Sequence, residues 1–313
     1  MTRYMRWCFL PALALFMSCT TFAPKDRAKL PKQLPAQFSL YSDGAPDIEN
    51  RWWECFESDE LNAFVEEALT NSPSLQQAWS RLAQAEAIAA QQGAGRFPTL
   101  GYEGSASVSR DSVAKTTEQS YALGLASSCE VDLWGRIKSQ AEAAALDRSA
   151  SQEQLHTAAM TLASGTAQKW ASIVSQRLQT NLVQEQLAAN RKSLELVELR
   201  FRKSRATALD VYQQRQAVAA TESRIPQLEL RDALLCNELA ALLGRLQFGG
   251  VETQSAALPE VGELPAVGLP ADVLANRPDV RRAGLNLAAA DWLVSVARVD
   301  RLPAIRLTAS ANF

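Results

Sequence analysis

The chain has 313 residues, 47% of them apolar, 7% aromatic and 21% charged, with 32 basic and 34 acidic side chains and a formal net charge of −2. That balance lacks the cationic excess that phosphate neutralisation requires, so no nucleic-acid partner is expected. A single histidine, His156, excludes sites built on two imidazoles, and the five cysteines (Cys8, Cys19, Cys55, Cys129, Cys236) show no C-x-x-C spacing; neither a metal, a cofactor nor a disulfide framework is predicted.

Residues 1–18 place Arg3 and Arg6 ahead of an apolar run from Trp7 to Met17 and close on Ser18, the pattern of a secretion signal. Its core of about 11 residues is too short to span a bilayer as a helix. Phe16-Met17-Ser18-Cys19 resembles a bacterial lipobox, although Phe16 stands where Leu is usual. The resemblance implies cleavage before Cys19 and covalent lipid on that residue; the alternative is cleavage nearby that leaves Cys19 a free thiol. Uncharged Thr20, where Asp signals inner-membrane retention, favours delivery to the outer membrane. Residues 19–57 are polar and punctuated by Pro24, Pro31, Pro35 and Pro46, and read as an extended tether.

Residues 58–244 form the first structural repeat. Ser58 is a helix cap ahead of Leu61, Phe64, Val65, Ala68 and Leu69 at helical spacing, and this helix stops at Asn71-Ser72-Pro73. A second helix is predicted from about Pro73 to Phe97. Alternation of Leu100, Tyr102, Gly104, Ala106 and Val108, then of Tyr121, Leu123, Leu125, Ser127, Cys129 and Val131, predicts two strands at about 98–110 and 119–131. They are long enough to cross a membrane when tilted, although a soluble hairpin shares the pattern.

Between Ile137 and Ile225 there is no proline and only Gly165, which predicts long helices at about 133–203 and 206–243. The first would run for roughly 105 Å at 1.5 Å per residue. Leu155, Ala159, Leu162, Thr166, Trp170, Val174, Leu178 and Leu182 read as its buried seam, with small residues favouring shallow side-to-side packing. A reversal at Lys203–Thr207 leads into the returning helix, which Pro226 must kink or divide and Gly244 caps. Residues 245–271, with Gly249, Gly250, Pro259, Pro265 and Pro270, read as a linker.

The stretch from Ala68 to Ala106 aligns without gaps on the stretch from Val273 to Ala311 at a constant offset of 205. Identities include Leu69/Leu274, Asn71/Asn276, Pro73/Pro278, Ala78/Ala283, Leu82/Leu287, Ala85/Ala290, Arg96/Arg301 and Pro98/Pro303. The helix break, the apolar seam and the strand-opening proline keep register, the signature of an internal repeat. Residues 272–313 are therefore an incomplete second repeat, a helix and one strand. Continuation of the repeat is expected beyond Phe313, so the sequence reads as truncated.

Four segments, WWECFESDELNAFVEEAL (52–69), SSCEVDLWGR (127–136), FRKSRATALDVYQQRQA (201–217) and GLPADVLANRPDVRRA (268–283), resemble the outer membrane factor family of TolC-like channels. The match is to the lipoprotein branch serving tripartite multidrug efflux pumps of the RND type. That resemblance implies a mainly α fold with a membrane β-barrel part: long antiparallel α-helical hairpins forming an α-barrel, plus short β-hairpin strands, in a homotrimeric channel. It implies no enzyme activity but passive export of drugs or other small molecules through the outer membrane. The implied partners are a periplasmic adaptor, an inner-membrane RND transporter and outer-membrane lipid.

By the family pattern the reversal is an adaptor-facing tip, placing Arg202, Lys203, Ser204, Arg205, Ala206, Thr207 and Leu209 at the contact. The family commonly has Gly where Ser204 stands, so the tight turn is expected to be made differently here. Glu130 and Asp132 are read as capping the following helix or favouring its positive end, rather than as a catalytic pair. Two other readings stand beside the efflux channel: a type I protein-secretion conduit, and a non-conducting structural lipoprotein that presents a helical hairpin to the periplasm.

Overall fold

The computed structural model describes residues 51–111, 116–245, 251, 253, 255, 257–259, 274 and 276–313. The signal segment, Cys19, the tether up to residue 50 and much of the linker lie outside the described residues. A 3-10 turn, Trp52–Phe56, precedes helices α1 (Asp59–Asn71) and α2 (Pro73–Ala94), then strands β1 (Thr99–Asp111) and β2 (Thr116–Val131). Helices α3 (Arg136–Arg202), α4 (Ala208–Glu222), α5 (Ile225–Leu242) and α6 (Pro278–Val299) and strand β3 (Ile305–Asn312) complete the order.

The contacts divide into two units, each described by itself. The first comprises the described residues of Ser80–Gln154 and Leu274–Phe313. Its sheet has the order β1-β2-β3 with both pairings antiparallel, Leu100 facing Ser127 and Cys129 facing Leu307. Its helical core is shallow: Ala141, Ala143, Ala144, Ala150 and Ala289 are buried beside Leu82, Ile137, Val296 and Val299. Alanine at the seam lets helix backbones approach closely without a thick layer of side chains. Arg96–Glu142 (3.5 Å), Arg148–Glu86 (3.5 Å) and Arg281–Glu153 (2.7 Å) tie the surfaces of these helices.

The second unit holds α1, the later part of α3, α4 and α5. Its core is thicker, with Leu61, Val65, Trp170, Ile173, Val174, Leu239 and Leu243 fully buried. Trp170 keeps its indole N–H satisfied by donating to Glu60 Oε2 at 3.0 Å. The same carboxylate accepts from the backbone N–H and hydroxyl of Ser255, so one acid pins a core aromatic and a linker residue together. Ser58 caps α1 by accepting from the Leu61 N–H at 3.3 Å.

At 67 residues α3 is about 100 Å of continuous helix. Its buried line departs from the expected seam. Leu155, Leu162, Thr166, Trp170 and Val174 are buried, but Leu178 and Leu182 are exposed, and burial passes to Ile173, Val183 and Leu187. The reason is geometric: each step of four residues turns 400°, so five such steps from Leu162 to Leu182 carry the row about 200° around the helix. A buried line must mix threes with fours.

Pro226 divides the returning helix. It occupies the first turn of α5, where a missing N–H costs nothing, and Ser223 and Arg224 form the break. Gly244 ends α5 at φ +74°, with the Arg245 N–H donating to Ala240 O (2.9 Å) and the Gly244 N–H to Ala241 O (3.2 Å). Helices α2 and α6 have 22 residues each and begin and end 205 positions apart, the offset of the aligned stretches.

Candidate functional site

Two regions carry features that packing alone does not explain. The first is the sheet. On one face lie Leu100, Tyr102 and Val108 of β1, Tyr121, Leu123 and Leu125 of β2, and Ile305 and Leu307 of β3, all exposed. Tyr102 is 87% exposed and Leu100 77%, values that water would not tolerate over a continuous three-strand stripe. The opposite face carries Thr99, Ser105, Ser107, Ser120, Ser128, Thr308 and Ser310, with the Ser107 and Ser120 hydroxyls 2.7 Å apart across the ladder. A sheet that is apolar outward and hydroxylated on the other side suits a wall between lipid and water. No helix among the described residues is long and apolar enough to cross a membrane.

Below the sheet, Glu130 and Asp132 take separate roles. Asp132 accepts from the backbone N–H groups of Ile137 (3.1 Å) and Lys138 (2.8 Å), and so caps the first turn of α3. Glu130, read as capping that helix or favouring its positive end, receives Arg136 through Nε (3.0 Å) and Nη2 (2.7 Å), with Arg306 at 3.6 Å. Glu130 is the residue directly opposite Arg306 in the β2–β3 ladder, whereas Asp132 lies one residue past the end of β2, nearer in sequence to the first N–H groups of α3. Trp134 donates its indole N–H to Pro303 O at 3.0 Å. Together these contacts join the junction between β2 and α3 to the opening of β3.

The second region is the hairpin tip between α3 and α4. Arg202 is the last residue of α3, Lys203 to Ala206 make the turn, Thr207 caps α4, and Leu209 lies in its first turn; all but Ala206 are exposed. Ser204 adopts φ +59°, the left-handed conformation Gly would take, and it keeps the bonding pattern of a glycine-ended helix. The Arg205 N–H donates to Arg200 O and the Ser204 N–H to Phe201 O, both at 2.8 Å. The expectation of a different turn is thus corrected: two backbone bonds hold a serine in the glycine geometry.

Thr207 and Asp210 form a reciprocal capping box. The Thr207 N–H donates to Asp210 Oδ2 at 2.8 Å and the Asp210 N–H donates to Thr207 Oγ1 at 3.2 Å. The backbone N–H of Thr207, and then its hydroxyl, hold the Asp210 carboxyl below its usual value. Beside the cap is a groove of about 380 Å³, lined by Phe201, Arg202, Val211, Tyr212 and their neighbours. Phe201, Tyr212 and the flanking Arg200 were not among the residues expected from the sequence, although each lies within three positions of one that was; their signal is exposure on separate helices, which one-dimensional spacing does not show.

The family profile described as "Outer membrane efflux protein" matches residues 64–245. The chain belongs to the outer membrane efflux protein family. It is 33% identical to the pyoverdine export outer membrane protein OpmQ of Pseudomonas aeruginosa over 97% of this chain and 66% of that protein. It is 30% identical to the cation efflux system protein CusC of Escherichia coli K12 over 97% of this chain and 67% of that one. Among solved structures, the outer-membrane channel OprN superposes with a TM-score of 0.77 at 26% identity, covering 93% of this chain and 68% of OprN. CusC superposes at 0.76 with 27% identity, covering 93% and 67%. The chain spans just under two-thirds of the length of OpmQ. Its long helices and antiparallel strands are those of the TolC-like channel fold.

Proposed function

We propose that the protein is the outer-membrane channel component of a tripartite efflux pump, a passive conduit for drugs or other small molecules. The observation that carries this reading is the two-faced sheet, whose exposed apolar stripe has its place in lipid and whose hydroxylated face has its place along water. Among the described residues β1 and β3 each leave one ladder edge unpaired, so closing a barrel requires further strands, in keeping with a homotrimer. In this reading 58–244 and 272–313 are tandem efflux repeats joined by the 245–271 linker. Cys19 carries the lipid anchor, and the α3 and α4 tip meets a periplasmic adaptor that couples the channel to an RND-type transporter.

The test is complementation in cells lacking their outer-membrane efflux channel, with the protein expressed beside its adaptor and transporter. Restored efflux of a fluorescent dye, together with crosslinking of a cysteine at position 206 to the adaptor, is the expected result. Outer-membrane residence without dye efflux and without the crosslink would overturn it in favour of a non-conducting lipoprotein.

A further inference from the structure

Glu103 is the charged residue in the middle of the hydroxylated face of the sheet. Its ladder partner is Gly124, the diagonal positions on β2 are Ala122 and Ala126, and its neighbours on the same face of β1 are Gly101 and Ser105. The residue is exposed, and among the described residues no ion pair or hydrogen bond reaches it. The other charges of this face lie elsewhere along the ladder. Glu130 and Arg306 pair with one another at one end, and Glu118 faces Ser109, six ladder positions from Glu103 and so about 20 Å away at 3.4 Å per residue. Across the three strands the row of Glu103 continues through Gly124 to Asn312. A Cβ added to Gly124 would meet the Asn312 side-chain oxygen at 2.7 Å, so that neutral amide lies over the glycine. Glutamate is a poor strand former, and without a cross-strand cation it adds nothing to the sheet that holds it. Its place in the fold is explained by what it faces, not by what it packs against.

We propose that Glu103 sets the charge selectivity of the conduit, as a fixed negative charge on the watered side of the wall that admits cationic solutes ahead of anionic ones. The inference rests on the channel reading above and assigns its selectivity to one position in the sheet. In a homotrimer the residue recurs three times at one height. A ring of carboxylates in a water-filled passage raises the local concentration of cations and lowers that of anions. Substitutions on the lumen side of a barrel wall tune selectivity, whereas those on the lipid side act on assembly. The serines and the Asn312 amide around the carboxylate are neutral and favour neither sign of charge.

The test is the reversal potential of the full chain in planar bilayers under a potassium chloride gradient whose dilute side is about 10 mM, where screening extends over roughly 30 Å. The unmodified protein is expected to prefer potassium over chloride by about three- to tenfold, the scale of a few charges acting through water across a pore. Glu103→Gln should lose most of that preference while its heat-modifiable migration on gels stays unchanged. Charge is separated from shape by Glu103→Cys in a background with Cys55, Cys129 and Cys236 replaced. Labelling that thiol with a sulfonate-bearing thiosulfonate should restore the cation preference, and labelling it with a trimethylammonium-bearing one should reverse it. Conductance with one and the same reversal potential in all these forms would overturn the proposal and leave the channel reading standing. Absence of conductance in the unmodified protein would overturn the channel reading itself, and the proposal with it.

Discussion

Glu130 and Arg306 face one another across the β2 and β3 ladder, and the carboxylate that lies 3.6 Å from Arg306 also receives Arg136 at 2.7 Å. One half-buried acid therefore serves the β2–β3 pairing and the root of α3. Replacing Glu130 with Gln keeps the shape but removes the charge that two guanidinium groups share. The expected cost is about 1.5–3 kcal/mol, the scale of a charge-assisted bond in a partly buried setting. Urea unfolding should show this loss for Glu130→Gln and a smaller one for Arg306→Gln, whose side chain is 67% exposed.

At the tip, Ser204 pays the steric penalty of the left-handed region that Gly does not. Ser204→Gly should stabilise the hairpin by about 0.5–1 kcal/mol after the extra freedom of the unfolded glycine is counted. Ser204→Val should destabilise it. Hydrogen exchange at Arg205 and Phe201 reports both changes locally.

Gly244 presents the opposite case. It combines φ +74° with a close approach in which an added Cβ would sit 2.6 Å from the Asn71 carbonyl oxygen. Gly244→Ala should cost at least ~2 kcal/mol, because the conformational penalty and the backbone clash add. The same change at Gly284, where a Cβ meets nothing within 4 Å, should be neutral or slightly stabilising, and thermal unfolding distinguishes the two.

Asp210 gives the tip a pH dependence of known sign. Its carboxyl is held below the ordinary value of 3.8, so its contribution is complete above that value and is lost as pH falls through the lowered one. Amide protection in the first turn of α4 should be flat from neutral pH down to about 5 and collapse on stronger acidification. In Asp210→Asn that acid-linked change should be absent.

Much of this structure is legible in one dimension because it rests on local rules. Ser58 caps α1, Pro226 opens α5 and Gly244 ends it, as side-chain chemistry demands, and the 205-residue repeat needs only alignment. What spacing could not show depends on accumulated geometry or on partners far along the chain. Leu178 and Leu182 leave the seam through rotation that builds over five turns. β2 begins at Thr116, ahead of the expected 119, because Thr116-Thr117-Glu118 is polar throughout and offers no alternation, while the ladder needs only backbone. Of the tip, the named residues are contiguous in sequence, but the groove is made by Phe201 and Tyr212 on separate helices.

The apolar stripe makes its own prediction. Leu123→Lys should cut outer-membrane assembly, since a cation on the lipid-facing side of a strand costs about 2–4 kcal/mol near the bilayer midplane. Ala122→Lys, one residue away on the hydroxylated face, should assemble normally. Heat-modifiable migration of the membrane fraction on gels reads the outcome.

The most direct test of the central claim is cysteine labelling along β2 in intact outer membranes, with Cys55, Cys129 and Cys236 replaced. Single cysteines at 120, 122, 124 and 126 should react with a water-soluble maleimide, and those at 121, 123 and 125 should react only with a lipid-phase reagent. That period of two is the result expected of a channel wall. Uniform labelling by the water-soluble reagent at all seven positions would contradict it.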